Sequence, residues 1–196
     1  MISALPVRII EEYHDWEPAV RVTPTVRRLL ATIPVQYLRG LGHVVLTNFS
    51  GQNRARRRSA TKARKRKVPL AGCGGLYHEV WKSQPAWIEI FVDNLPSREH
   101  RFAWRFPPLR DLAVARILYH ELGHHLHVTR SLEFKEAEDV AESWQRQLTN
   151  LYFSQRHSFM TALGLWPIAF RIDLWLWRLQ RRRGRDDEAA GETPAT

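Results

Sequence analysis

Two histidines four residues apart, with a glutamate directly after the first, constrain this chain more than any other pattern in it: His120-Glu121-Leu122-Gly123-His124. The pattern lies in Arg110–His127, which reads as a helix because Leu112, Ala115, Leu118 and Leu122 recur at the three-and-four spacing of a core-facing stripe. On a helix, positions i and i+4 sit one above the other, so both imidazoles face the same way. So placed, they can grip one Zn²⁺, and Glu121 can reach a water on the metal and act as general base. The competing readings are a pair of buried, hydrogen-bonded histidines and a purely structural zinc site.

A catalytic zinc needs a third protein ligand and an open water position. A third histidine six residues beyond His124 is excluded, because Arg130 stands there. The next helix, about Glu133–Leu151, offers Glu133, Glu136, Glu138 and Glu142. Glu138 is the preferred ligand, since Glu142 follows one turn later on the same face and could fix the tautomer of a ligating histidine. Ala141 between them would let the two helices come close. Glu136 is the next choice. His125 and His127 lie at other helix angles and read as surface or supporting residues.

Cysteine use narrows the donor set further. Cys73 is the one cysteine of 196 residues, so neither a disulfide framework nor a Cys-rich zinc knuckle is available. It stands beside Gly72, Gly74 and Gly75 and reads as a small turn residue rather than a nucleophile. The opening residues do not resemble a signal peptide, since Pro6, Arg8, Glu11 and Glu12 interrupt them, and a reducing cytoplasm is the expected compartment.

The net charge of +10 is local. Arg54, Arg56, Arg57, Arg58, Lys62, Arg64, Lys65, Arg66 and Lys67 carry nine positive charges with no acid among them. Without those nine, 21 basic residues face 20 acidic ones, so the body of the chain is nearly neutral. The stretch 51–68 reads as a solvated basic loop inserted into the domain. Such a run suits phosphates, and Arg56, Arg57, Arg58, Arg64, Lys65, Arg66 and Lys67 are candidate contacts to nucleic acid or another polyanion. No aromatic interrupts it, so stacking has no platform within the run itself.

Around these features the chain alternates. Thr25–Thr32 reads as a helix, His43–Thr47 as a strand, and structure resumes near Gly74–His78. Ala86–Val92 is a second strong strand, and Asp111 is a candidate cap for the His-Glu helix. Residues 156–183 form a Trp-rich helical segment, too interrupted by Pro167, Arg171 and Asp173 to span a bilayer. Trp166, Trp175 and Trp177 before Arg178 and Arg181 leave room for a helix lying on a membrane, although membrane association is not the expected mode. Residues 184–196 read as a disordered tail.

This order of elements resembles the zincin metallopeptidases, and more narrowly the compact gluzincins with H-E-x-x-H…E ligation. The resemblance covers roughly Pro24–Leu151 and rests on His120, Glu121, His124 and, less sharply, Glu138. It implies an α+β domain over residues 1–155, with a small mixed or antiparallel sheet on an N-terminal helix and the His-Glu helix, followed by a Glu-bearing helix. It implies one Zn²⁺ per chain, a peptide or protein substrate, and hydrolysis with Glu121 as base. It also implies that the strand before the active helix, here Trp87–Val92, is a sheet edge lining the cleft. Tyr77, His78, Tyr119 and His157 are candidates for stabilising the oxyanion. The alternative is a module of the same fold without catalysis, or a protease working on nucleic-acid-bound proteins, using Arg54–Lys67 to bind nucleic acid.

Overall fold

The computed structural model describes residues 6–63, 66–95, 104–130 and 137–156, without the side chains of 62–66. The chain divides into two compact units, residues 1–152 and 153–196. The first is a mixed α+β unit. Its sheet has four strands: β1 (Arg8–Glu12), β2 (Leu41–Thr47), β5 (Gly75–His78) and β6 (Ala86–Phe91), in the order β1-β2-β6-β5. The pairs β1–β2 and β2–β6 are parallel, while β5 runs antiparallel to β6. A separate hairpin joins β3 (Ala60–Ala63) to β4 (Arg66–Pro69).

Side chains alternate across this sheet, and the two faces differ in chemistry. Val44, Leu46, Ile88 and Ile90 point to one side and are fully buried. Against that side lie α1 (Thr23–Ala31) and the long α3 (Pro107–Thr129). The stripe Val26, Leu29 and Leu30 of α1 and the stripe Leu112, Ala115, Leu118 and Leu122 of α3 complete the core. The expected helix Thr25–Thr32 and strand His43–Thr47 are both present, each starting two residues earlier.

Four features differ from the expectations or were not among them. β1 forms where charges flank Ile9 and Ile10, and it takes the edge position beside β2. Ala86–Phe91 is not the edge of the sheet; it lies between β2 and β5, and the edge beside α3 is Gly75–His78. Its apolar content fits an interior strand buried on both sides, which periodicity alone cannot tell from an edge. Residues 51–68 are not one solvated loop. Asn53 caps a short helix, α2 (Arg54–Arg57), its side chain accepting from Arg56 N at 2.9 Å, and the hairpin β3–β4 follows.

The fourth concerns Asp111. Pro107 and Pro108 open α3 directly, because proline lacks the amide that a first turn leaves unpaired anyway. Asp111 therefore falls inside the helix, 2% exposed, rather than at its cap. Its Oδ1 accepts from Thr25 Oγ1 at 3.0 Å and Arg28 Nη2 at 2.7 Å, and its Oδ2 from the Tyr152 hydroxyl at 2.6 Å. One buried carboxylate thus ties α1, α3 and α4 (Ala137–Arg156) together. Asp111→Ala removes the acceptor of a guanidinium and two hydroxyls, and should lower unfolding free energy by about 3 kcal/mol in a denaturant titration. A loss under about 1 kcal/mol would show that solvent replaces these bonds.

Candidate metal centre

The site grows from two close approaches that glycine permits. Gly74 and Gly75 bring the start of β5 against α3: a Cβ at Gly74 would stand 2.6 Å from Ile117 Cδ1, and one at Gly75 2.7 Å from Ile117 Cγ2 and 3.2 Å from Glu121 Cγ. On the other flank Gly123 lets α4 lie against α3, since a Cβ there would stand 2.5 Å from Ala141 Cα and 2.9 Å from its carbonyl oxygen. Ala141 is thus the near point of the second helix, as its small size suggested. Glu138, one turn before it, is carried to the histidines.

Three side chains converge. His120 Nε2 and His124 Nε2 are 3.3 Å apart, and Glu138 Oε2 and Oε1 stand 3.5 Å and 3.7 Å from them respectively. In a tetrahedral site with bonds of about 2.0–2.2 Å, ligand atoms stand about 3.3–3.6 Å from one another. The edge between the two histidine nitrogens falls in that range, and the Glu138 carboxylate faces both rings, one oxygen to each, so two imidazole nitrogens and a carboxylate form a donor set suited to Zn²⁺. The side chains are 24%, 19% and 17% exposed, which leaves an approach for a further ligand. The two rings stand perpendicular, so each nitrogen can aim at a common point.

Electrostatics sharpen the same picture. Burial works against charging His120, yet Glu138 bonded to it and the charges of Glu121, Glu138 and Glu142 together raise its pKa. Burial and the neighbouring His120 push His124 down to about 4, against the pull of Glu138. His120 is therefore the more readily charged of the two imidazoles, and His124 the one that favours the neutral form. Glu142 sits near enough to act on His120 through its charge, the direction expected of a supporting carboxylate.

Glu121 lies beside this cluster and is 8% exposed. Burial first, then the charge of Glu138, lift its carboxyl to about 7, against His120 and a hydrogen bond from the Tyr77 main-chain amide. A carboxyl poised near neutrality can both take and return a proton. Cys73 also feels Glu121 and Glu138; burial, followed by those two charges, raises its thiol to about 11, which suits an inert turn residue.

The remaining candidates are placed as follows. The Tyr77 hydroxyl meets His125 Nδ1 at 3.2 Å, and His125 Nε2 donates to the Arg39 carbonyl at 2.9 Å. That carbonyl fixes the tautomer, so Nδ1 accepts from Tyr77. His125 is buried, 1% exposed, a strut between β5 and the turn before β2 rather than a surface residue. His78 turns to the far face of the sheet, 3.1 Å from Glu89 Oε2, and Tyr119 donates to the Leu29 carbonyl at 3.1 Å. Glu133, Glu136 and His157 lie outside the described residues, as do Arg64, Lys65 and residues 157–196. Among the described helices none is long and apolar enough to cross a membrane.

Three contributions have little sequence signal: the Tyr77 amide on Glu121, the His125 strut, and the Gly74-Gly75 contact, for which only the paired glycines could have been a hint. Among the described residues, His120, His124 and Glu138 form the one group able to hold a metal. Comparison with protein-family models, curated proteins and solved structures finds no match, so the reading of this centre rests on its own donor atoms and their spacing.

Proposed function

We propose that the protein is a zinc-dependent peptidase of the zincin type, with H-E-x-x-H…E ligation. The observation that carries this reading is the His120–His124–Glu138 cluster, with one ligand atom of each residue within 4.8 Å of the others and a buried carboxyl of raised pKa directly beside it. His120, His124 and Glu138 would hold the ion. When bound, Zn²⁺ supplies a Lewis acid and lowers the pKa of its water towards about 7. Glu121 would serve as general base, accepting a proton from the attacking water and returning it to the leaving amine. The Tyr77 amide holds Glu121 in place for both steps.

β5 adds a means of binding substrate. It is an edge strand packed beside Glu121, and an extended peptide can pair with such an edge through main-chain bonds that are largely independent of sequence. This role belongs to Gly75–His78 and not to Trp87–Val92. The test is digestion of a peptide library with zinc supplied, alongside metal analysis. Wild type should carry about one zinc per chain and cleave, whereas His120→Ala or His124→Ala should lose the metal. A wild-type protein that takes up no zinc sinks the proposal.

A further inference from the structure

The face of the sheet turned away from the helices is polar, and it lies under the basic segment. Arg8, His43, Trp87 and His78 stand in register across all four strands. The His43 and Trp87 rings stack at 5.5 Å and 11°, and those of Trp87 and His78 at 3.8 Å and 6°. Two residues along β6, Glu89 is 2% exposed on this same face. Its Oε2 accepts from Arg56 Nη2 and meets His78, so Arg56 is drawn inwards and anchors α2 over the sheet. A pocket of about 490 Å³ opens here, lined by Arg8, His43, Gln52, Arg56, Trp87 and Glu89 among others. That volume lies in the range of small-ligand sites, about 300–1,000 Å³.

Two further features adjoin residues that line this pocket. Gln84 lines it, and the main chain of Gln84 pairs with that of Trp81 in the turn between β5 and β6. Trp81 is 71% exposed, an indole presented to solvent on the residue that bridges to this pocket-lining glutamine. On the other side Arg54, Arg57, Arg58 and Lys67 are exposed, in a segment of nine positive charges without an acid. The run itself holds no aromatic residue, but folding sets a pocket of ring, amide and carboxylate groups against Arg56, and the exposed Trp81 is bridged to Gln84 in the wall of that pocket.

We infer that this face binds single-stranded nucleic acid, with phosphates on Arg54, Arg57, Arg58 and Lys67 and a base stacked on Trp81. A sugar–phosphate backbone needs spaced cations, and unpaired bases need an open aromatic face with hydrogen-bonding groups nearby. Gln52, Gln84 and Glu12 supply donors and acceptors for base edges. A lipid surface would use Trp81 and the arginines but has no use for the polar pocket. The site lies across the sheet from the metal cluster and does not depend on it.

The test is fluorescence anisotropy of the full chain with a labelled single strand of about 20 nucleotides, of mixed sequence. Neutralising about four phosphates predicts affinity falling about 50-fold between 50 and 200 mM salt. Arg54→Ala, Arg57→Ala and Arg58→Ala together should weaken binding more than tenfold. Trp81→Ala should cost about tenfold on the natural strand, and nothing on an abasic strand of equal length. Glu121→Gln and chelated protein should bind as wild type does, so a failed peptidase assay leaves this result intact. No binding overturns the inference, as does equal affinity for natural and abasic strands. Binding to vesicles of phosphatidylserine without binding to the strand overturns it in favour of a membrane.

Discussion

Glu121→Gln should retain zinc at about one per chain and lose peptide cleavage by about 10²–10⁴-fold in kcat. The amide keeps the size and most of the packing of the carboxylate but cannot take up a proton. Because Glu121 is buried beside Gly75 and accepts from the Tyr77 amide, a glutamine oxygen can keep that hydrogen bond, and the fold should hold. His120, His124 and Glu138 are untouched, so metal content separates this variant from His120→Ala. Cleavage by Glu121→Gln at the wild-type rate would remove the general base from the mechanism. Loss of zinc along with activity would instead place Glu121 among the groups that build the site.

The second large effect is steric. Gly123→Ala adds a methyl 2.5 Å from the Cα of Ala141, and backbone cannot rotate out of the way as a side chain can. α4 must move away by about an ångström, a change that costs about 1–3 kcal/mol of overpacking, partly offset by up to about 1 kcal/mol of helix propensity. Glu138 rides on that helix one turn from the contact, so zinc affinity should drop by at least about tenfold, as loss of ligand positioning does elsewhere. Gly72→Ala is the control, because a Cβ there meets nothing within 4 Å. It should leave both stability and zinc binding unchanged. Unaltered zinc affinity in Gly123→Ala would show that Glu138 reaches the site without close packing of the two helices.

These two variants mark how far the chain could be read before folding. The i, i+4 histidines, the glutamate between them and the small Ala141 one turn after Glu138 are local facts of helical periodicity, and the cluster assembles as that periodicity suggests. Choosing Glu138 over Glu136 rested on Glu142 following at four residues, again within one helix. Asp111 shows where this reasoning fails. Its place one turn inside α3 depends on Pro107 and Pro108 accepting the first turn, and its partners Thr25, Arg28 and Tyr152 lie 86, 83 and 41 residues away.

Strand order failed for a related reason. Ala86–Val92 reads as a strand and structure is expected to resume near Gly74–His78, but which segment forms the edge depends on β1 pairing beside β2 and on β5 folding back antiparallel. No residue within either segment encodes that choice. The basic run was legible as charge, whereas its position was not: Arg56 is spent on Glu89, 33 residues away, and Gln84 reaches the wall of the same pocket through the β5–β6 turn. Helical spacing acts over one turn, so the chain alone specified which residues could become metal ligands. Sheet register and close packing join distant segments, so folding alone settled what flanks those candidate ligands and what lies on the opposite face.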